Sequence, residues 1–432
     1  MKESGIEWIG EIPEEWNVRK MKYCGELDSN GVDKKQRDGE KLFKSVHYMD
    51  VYTNSLHEIG NSDDYLIISA DDKKAEMCTL KQGDVLLTTS SENPEDIGHS
   101  TEISEDLDKT LFGYHLMRFR ATMPLALHLR KYLIGSYLMR QWFEYRSVGM
   151  TRYGLSRSDI ADAKLILPPF AKQQQIASFL DTKSSLIDST IQKEREVIHK
   201  LKEYRQAVIT EAVTKGIRPG VLMKDSGVEW IGEIPEHWNC VDFRRAVHLK
   251  QGLQIEQTKR FSDNGDKRFV YITLKYVNSN KKPEDTEYIE NPDSNVMCGY
   301  DDILFVRTGA TGLIVTNVFG VYHNNFFKII FEKTLLSKKY LIGYLSQKSI
   351  QAHFNLLAGT TTISDLNHGD FLSTKVLIPP LPEQQEIADY LDAKCSAIDA
   401  TIQKRELAIE KLTAYKQSLI YECVTGKKEV LG

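Results

Sequence analysis

Two stretches of the chain, 171–215 and 383–425, carry apolar residues on a three-and-four repeat, at spacings of three, four or seven, with no proline inside either run. In the first these are Leu180, Ile187, Ile191, Ile198, Leu201, Val208 and Ala212. In the second they are Leu391, Ile398, Ile402, Ile409, Leu412, Leu419 and Cys423. That period lays the apolar positions along one narrow stripe of a helix, the seam of a coiled coil. A double proline precedes each run, at Pro168–Pro169 and Pro379–Pro380, where a helix start tolerates it. At 1.5 Å per residue each helix would reach roughly 65 Å.

So narrow a seam on so long a helix needs a partner, and the nearest is the other copy. An antiparallel pairing is expected, and one register sets Ile198 against Leu412, Leu201 against Ile409, Ile191 against Leu419 and Val208 against Ile402. It also sets Glu194 against Lys416, which is favourable, and Arg205 against Arg405, which is not.

Between and before the helices the pattern changes to short apolar runs bounded by turn residues. "GDVLLTTSS" from Gly83 and "DDILFVRTG" from Asp301 read as buried strands running into polar loops. The stretches 125–147 and 335–357 read as helices. After each comes a glycine and a polar loop, then a short strand into the double proline. The fold class expected is α+β: two globular domains joined by two long helices in an antiparallel coiled coil, with an internal pseudo-two-fold repeat.

The repeat is explicit in the letters. "SGIEWIGEIPEEWNV" from Ser4 returns as "SGVEWIGEIPEHWNC" from Ser226. "PPFAKQQQIASFLD" from Pro168 returns as "PPLPEQQEIADYLD" from Pro379, and "KYLIG" occurs at Lys131 and Lys339. The interiors match little outside such anchors. A repeated frame around divergent interiors performs one task twice and two versions of a related task once each. The boundaries expected are a first domain over 1–164, a first helix over 165–216, a second domain over 217–375 and a second helix over 376–432.

The polar loops hold the residue types that meet phosphates and base edges. In the first interior these are Thr151, Arg152, Tyr153, Ser156 and Arg157. In the second they are Thr360, Thr361, Thr362, Ser364 and Asn367, joined by Arg307, Thr308 and Thr311 from the loop after the strand. Turn and capping chemistry is the plain alternative for each of them. The acidic residues Glu92, Glu95 and Asp96 make the loop after the first strand a poor phosphate site.

Composition narrows the classes. A chain of 432 residues, 41% hydrophobic and 27% charged, suits two or more soluble domains. No run of about 18 apolar residues is present, so no membrane span is expected, and the opening residues lack an apolar signal core, which points to the cytoplasm. The six cysteines are scattered without a CxxC pair, so neither a zinc site nor a disulfide framework is indicated. A net charge of −5 is not the signature of a nucleic-acid binder, although the field of a local cleft is what matters. There is no GxxxxGK[ST] and no GxGxxG. "LPPF" from Leu167 has leucine where an amino-methyltransferase motif needs Asp or Asn. No catalytic or metal-ligating set is expected.

The doubled "WIGEIPExW" opening, the doubled "PPxxxQQxIAxxLD" helix start and the two divergent interiors resemble the specificity subunit of a Type I restriction–modification system. The resemblance covers nearly the whole chain. It implies two target-recognition domains reading the two halves of a split, asymmetric double-stranded DNA target. It also implies that Ile187, Ile191, Ile198, Leu201, Val208, Ile398, Ile402, Ile409, Leu412 and Leu419 form the spacer between them. Two methyltransferase subunits would dock on the repeated frame, and two motor–nuclease subunits would join them. S-adenosylmethionine, ATP and Mg would be used by those partners for adenine N6 methylation and for cutting, with no cofactor and no catalysis on this chain. The alternative from another class is a duplicated coiled-coil scaffold that binds protein and reads no DNA.

Overall fold

The computed structural model describes residues 1–7, 9–54, 56–279, 282–359 and 364–430. The chain divides into two compact units, Met1–Glu194 with Leu407–Gly432, and Arg195–Glu406. Each unit takes in a stretch of both long helices, which run Phe170–Lys215 and Leu381–Val424.

In the first unit a sheet runs in the order Gly25–Asp28, Leu116–Ala121, Val85–Thr88, Ser100–Ile103, Glu58–Ile59. A second sheet runs Leu66–Ala70, Lys41–Val46, Leu107–Phe112, Thr79–Leu80, with a parallel pair at its centre. The second unit has the order Val247–Gln251, Phe326–Phe331, Ile303–Val306, Ile314–Val315. Its other sheet runs Glu287–Glu290, Arg268–Ile272, Gly320–Tyr322, Met297–Cys298, again with a parallel central pair. The strands Val85–Thr88 and Ile303–Val306 are buried at every position, as their unbroken apolar runs require.

Each stretch expected as one interior helix is two. Leu129–Ile134 ends at Gly135, and Ser136 then caps Tyr137–Arg146 by accepting from the Met139 N–H. In the second unit Lys338–Leu345 is followed by Lys348–Leu357. A serine offering its side-chain oxygen to the backbone starts a new helix more readily than it continues an old one.

The repeated phrases are explained by local packing. Gln173 is buried, donates to the Pro168 carbonyl at 2.9 Å and accepts from the Ala126 N–H at 3.0 Å. Gln384 does the same with the Pro379 carbonyl at 2.8 Å and the Ser337 N–H at 2.8 Å. One amide thus fixes each long-helix start against its own interior. Gly216 and Gly426 follow the two long helices with φ of +78° and +75°, the left-handed end that glycine adopts without penalty. They lie against the buried rings of Trp238 and Trp16 respectively.

Along the helices, Leu180, Ile187 and Ile191 share a core with Leu419 and Cys423, and Ile409 and Leu412 pack on it half-buried. In the second unit Val208, Ala212 and Leu391 share a core. Ile198, Ile398 and Ile402 are buried, and Leu201 is half-buried. The charged residues on the stripe depart from the expected register. Lys416 Nζ donates to both Asp188 oxygens, at 2.8 and 2.7 Å, and Arg205 Nε lies 2.9 Å from Asp399 Oδ1. The expected partners, Glu194 and Arg405, are each six residues further along, about 1.7 turns. The observed pairing gives both seam cations a carboxylate and removes the opposition of Arg205 to Arg405.

Candidate nucleic-acid interface

Two loops distant in sequence meet in each unit. In the first, Ser90–Ser91 pairs antiparallel with Tyr153–Gly154, and the Leu155 N–H donates to the Thr89 carbonyl at 2.9 Å. In the second, Thr308 bridges to Asp365, and the Leu366 N–H donates to the Arg307 carbonyl at 3.0 Å. A third segment joins each pair: the Thr89 hydroxyl donates to the His115 carbonyl at 3.3 Å in the first unit, and the Arg307 N–H donates to the Asn325 carbonyl at 2.8 Å in the second. The Gly113 N–H donates to Val46 and the Leu116 N–H to Gly113, while the His323 N–H donates to Ile272 and the Phe326 N–H to His323. The divergent interiors therefore hold their loops in matching positions and carry different side chains there: Tyr114 and His115 in the first unit, Asn324 and Asn325 in the second.

The expected residues divide by what they already bond. Ser156 and Asp159 form a capping box on the helix Arg157–Ala161, so the serine hydroxyl is engaged. Thr151, Arg152 and Arg157 are exposed, and Tyr153 is half-buried. Among the described residues Arg152, Arg157 and Lys34 have no ion-pair partner.

In the second unit the expected loop residues are mostly committed to the protein. Arg307 is only 15% exposed, donates to Asp365 at 2.6 Å and to the Leu366 carbonyl at 3.2 Å, and lies over the Phe327 ring. Thr308 donates to Asp365 at 2.5 Å. Thr311 is buried, donates to the Arg307 carbonyl and lies 3.0 Å from the Ser364 hydroxyl. Asn367 caps the helix His368–Ser373. Thr360, Thr361 and Thr362 lie outside the described residues.

The sequence did not single out Lys34, Tyr48 or the Tyr114–His115 turn. Burial pushes the His115 imidazole below its usual range, and the nearby Arg152 and Lys34 cations push it further. Burial likewise lowers His47, with Lys34 adding to it. Tyr48 is raised by burial and by Asp96, against the opposing pull of Arg152 and a bond to Ser91. Arg152, His115, Tyr48 and Ser91 therefore share one neighbourhood, in which the cations Arg152 and Lys34 act beside the carboxylates Asp96 and Glu92. Tyr114 is exposed and touches the His115 ring, with centroids 3.8 Å apart. Asp96, expected to repel phosphate, holds the protein instead: it accepts from Tyr52, lies 2.8 Å from His99 and 3.4 Å from Arg140. Among the described residues no group of His, Cys, Asp and Glu is placed to hold a metal ion. No helix of the described residues is long and apolar enough to cross a membrane.

The family model described as Type I restriction modification DNA specificity domain matches residues 13–200 and 242–411. The putative type I restriction enzyme MjaX specificity subunit of Methanocaldococcus jannaschii is 26% identical over 98% of this chain and 96% of its own length. The type I restriction enzyme EcoKI specificity subunit of Escherichia coli is 21% identical over 97% of this chain and 90% of its own. A solved chain of a type I R-M system superposes with a TM-score of 0.74 at 15% identity, covering 97% of this chain and 100% of that one. The HsdS subunit of Thermoanaerobacter tengcongensis gives 0.52 at 15% identity, covering 99% and 100%. At those identities the solved structures speak to the fold alone.

Proposed function

The chain belongs to the Type I restriction–modification DNA specificity family, and on that premise we propose that it reads a split, asymmetric duplex target, one half with each unit. The observation that carries this reading is the same three-segment hydrogen-bonded mouth in both units, lined by different side chains. A common scaffold with variable lining is what two different half-sites require. In the first unit Arg152, Arg157 and Lys34 would meet phosphates, since a cation without an internal partner can release counterions on binding. In the second unit Arg307 would hold the loop in place, and Asn324 and Asn325 would stand where Tyr114 and His115 do in the first. An asparagine amide can address adenine in the major groove with two hydrogen bonds.

The two long helices would act as an antiparallel coiled-coil ruler that fixes the gap between half-sites. The repeated frame would dock two methyltransferase subunits, and motor–nuclease subunits would join for restriction. On this reading the chain is non-catalytic. S-adenosylmethionine, ATP and Mg belong to the partners, and the complex works in the cytoplasm.

The test is a methylome. The chain is co-expressed with its methyltransferase in a host lacking adenine methylation, and N6-methyladenine is mapped by single-molecule sequencing. A split motif with one methylated adenine in each half is the expected result. A stable complex with no motif would overturn the reading in favour of a scaffold that reads no DNA.

A further inference from the structure

The loop after the helix Tyr137–Arg146 is a braced hairpin with an apolar tip. Val148 and Gly154 exchange backbone hydrogen bonds at 3.2 and 3.0 Å. The turn is so tight that a Cβ on Gly149 would sit 2.0 Å from the Arg152 carbonyl oxygen. The pairing with Ser90–Ser91 ties the hairpin to the sheet. On this rigid base Met150 is 94% exposed, Val148 80% and Tyr145 80%. Scattered exposed apolar side chains are ordinary, but Val148 and Met150 stand two residues apart on this hairpin, with Tyr145 on the last turn of the helix that leads into it.

The charge around it selects the occupant. Arg152 lies in the same hairpin, exposed and with no ion-pair partner among the described residues. A surface that is apolar at its tip and cationic at its flank matches a duplex, whose stacked bases are apolar and whose edges are phosphate. Architectural DNA binders insert methionine and similar side chains between base steps and kink the helix there.

We propose that the 148–154 hairpin is a wedge that enters the base stack of the half-site read by the first unit, with Met150 as the inserted side chain and Arg152 on the flanking phosphate. This rests on the DNA-reading role proposed above.

The experiment uses the full chain assembled with its methyltransferase. The probe is a duplex carrying the mapped motif, with 2-aminopurine placed at each step of both half-sites in turn. The adenine to be methylated is left out of the scan, because a methyltransferase extrudes that base itself. Wild type should brighten one step about threefold or more on binding, as unstacking does. Met150→Ser should abolish most of that rise, Met150→Leu should keep it, and assembly should be unchanged in both. Tight binding with no brightened step, or a rise that survives Met150→Ser, overturns the wedge and leaves the DNA reading intact. Loss of the methyltransferase on Met150→Ser also overturns it, assigning the hairpin to a protein contact. Failure of wild type to bind the mapped duplex removes the DNA reading and the wedge together.

Discussion

Arg307 donates to the Asp365 carboxylate at 2.6 Å, across the bridge that joins Thr308 to Asp365. The arginine is largely enclosed while its partner is half exposed, so the pair sits at the rim of the second unit's mouth. Arg152, in the loop that pairs with Ser90–Ser91 across the first unit's mouth, has no ion-pair partner among the described residues. Two arginines that look alike in the sequence thus differ in what they have left to offer a ligand, and the consequences are measurable.

Arg307→Ala should lower the stability of the second unit by about 1–2 kcal/mol, because it removes a charge-assisted bond to Asp365 and the arginine donor of the Leu366 carbonyl. Thermal unfolding reads this directly. Asp365→Ala should reproduce part of the loss, and the double variant should fall short of the sum of the two. Additive effects would show that the two residues do not act as a unit.

Arg152→Ala should leave the melting temperature almost unchanged, since an exposed side chain without a partner contributes little to folding. Its effect belongs to binding: about a tenfold loss of duplex affinity, and a fall of about one in the slope of log K against log salt. An unchanged slope would remove Arg152 from the phosphate contacts.

The Asp188–Lys416 pair fixes how the helices lie together in the first unit, at 2.7 Å with Lys416 mostly enclosed. Lys416→Asp places two carboxylates together and should cost about 1–2 kcal/mol. Adding Asp188→Lys reverses both charges and should restore most of the loss. No recovery in the double variant would point back to the register that opposes Glu194 to Lys416.

Stability should fall as pH drops below the ordinary imidazole value of about 6.5. His57 is lowered chiefly by burial, with the Ser100 carbonyl pulling the other way, and burial also lowers His47, His99, His115 and His323. A histidine whose folded pKa is depressed binds its proton more readily when unfolded. Its contribution is therefore present above 6.5 and lost as pH falls below it. Thermal melts from pH 7.5 down to 5.5 should show the decline, and His57→Gln should make it shallower. A flat profile across that window would contradict the burial of these rings.

The sequence by itself determined the elements whose cause is local. The seam-patterned runs 171–215 and 383–425 fall within two residues of the long helices Phe170–Lys215 and Leu381–Val424, whereas the wider segments 165–216 and 376–432 also took in parts of the strands Lys164–Leu167 and Lys375–Ile378. The apolar runs at Val85–Thr88 and Ile303–Val306 marked buried strands. The repeated Gln173 and Gln384 marked positions where one buried amide must satisfy two backbone groups. Periodicity and turn chemistry act over a few residues, so they are written in the letters nearby. Only the tertiary structure decided which distant segments meet. Thr308 and Asp365 are 57 positions apart, and no local pattern says that one will bridge the other. The same holds for the Tyr114–His115 turn beside Arg152, and for Lys416 choosing Asp188 over Glu194. A cation's availability depends on every carboxylate that folding brings within reach, which is a property of the packed chain and not of the loop that carries it.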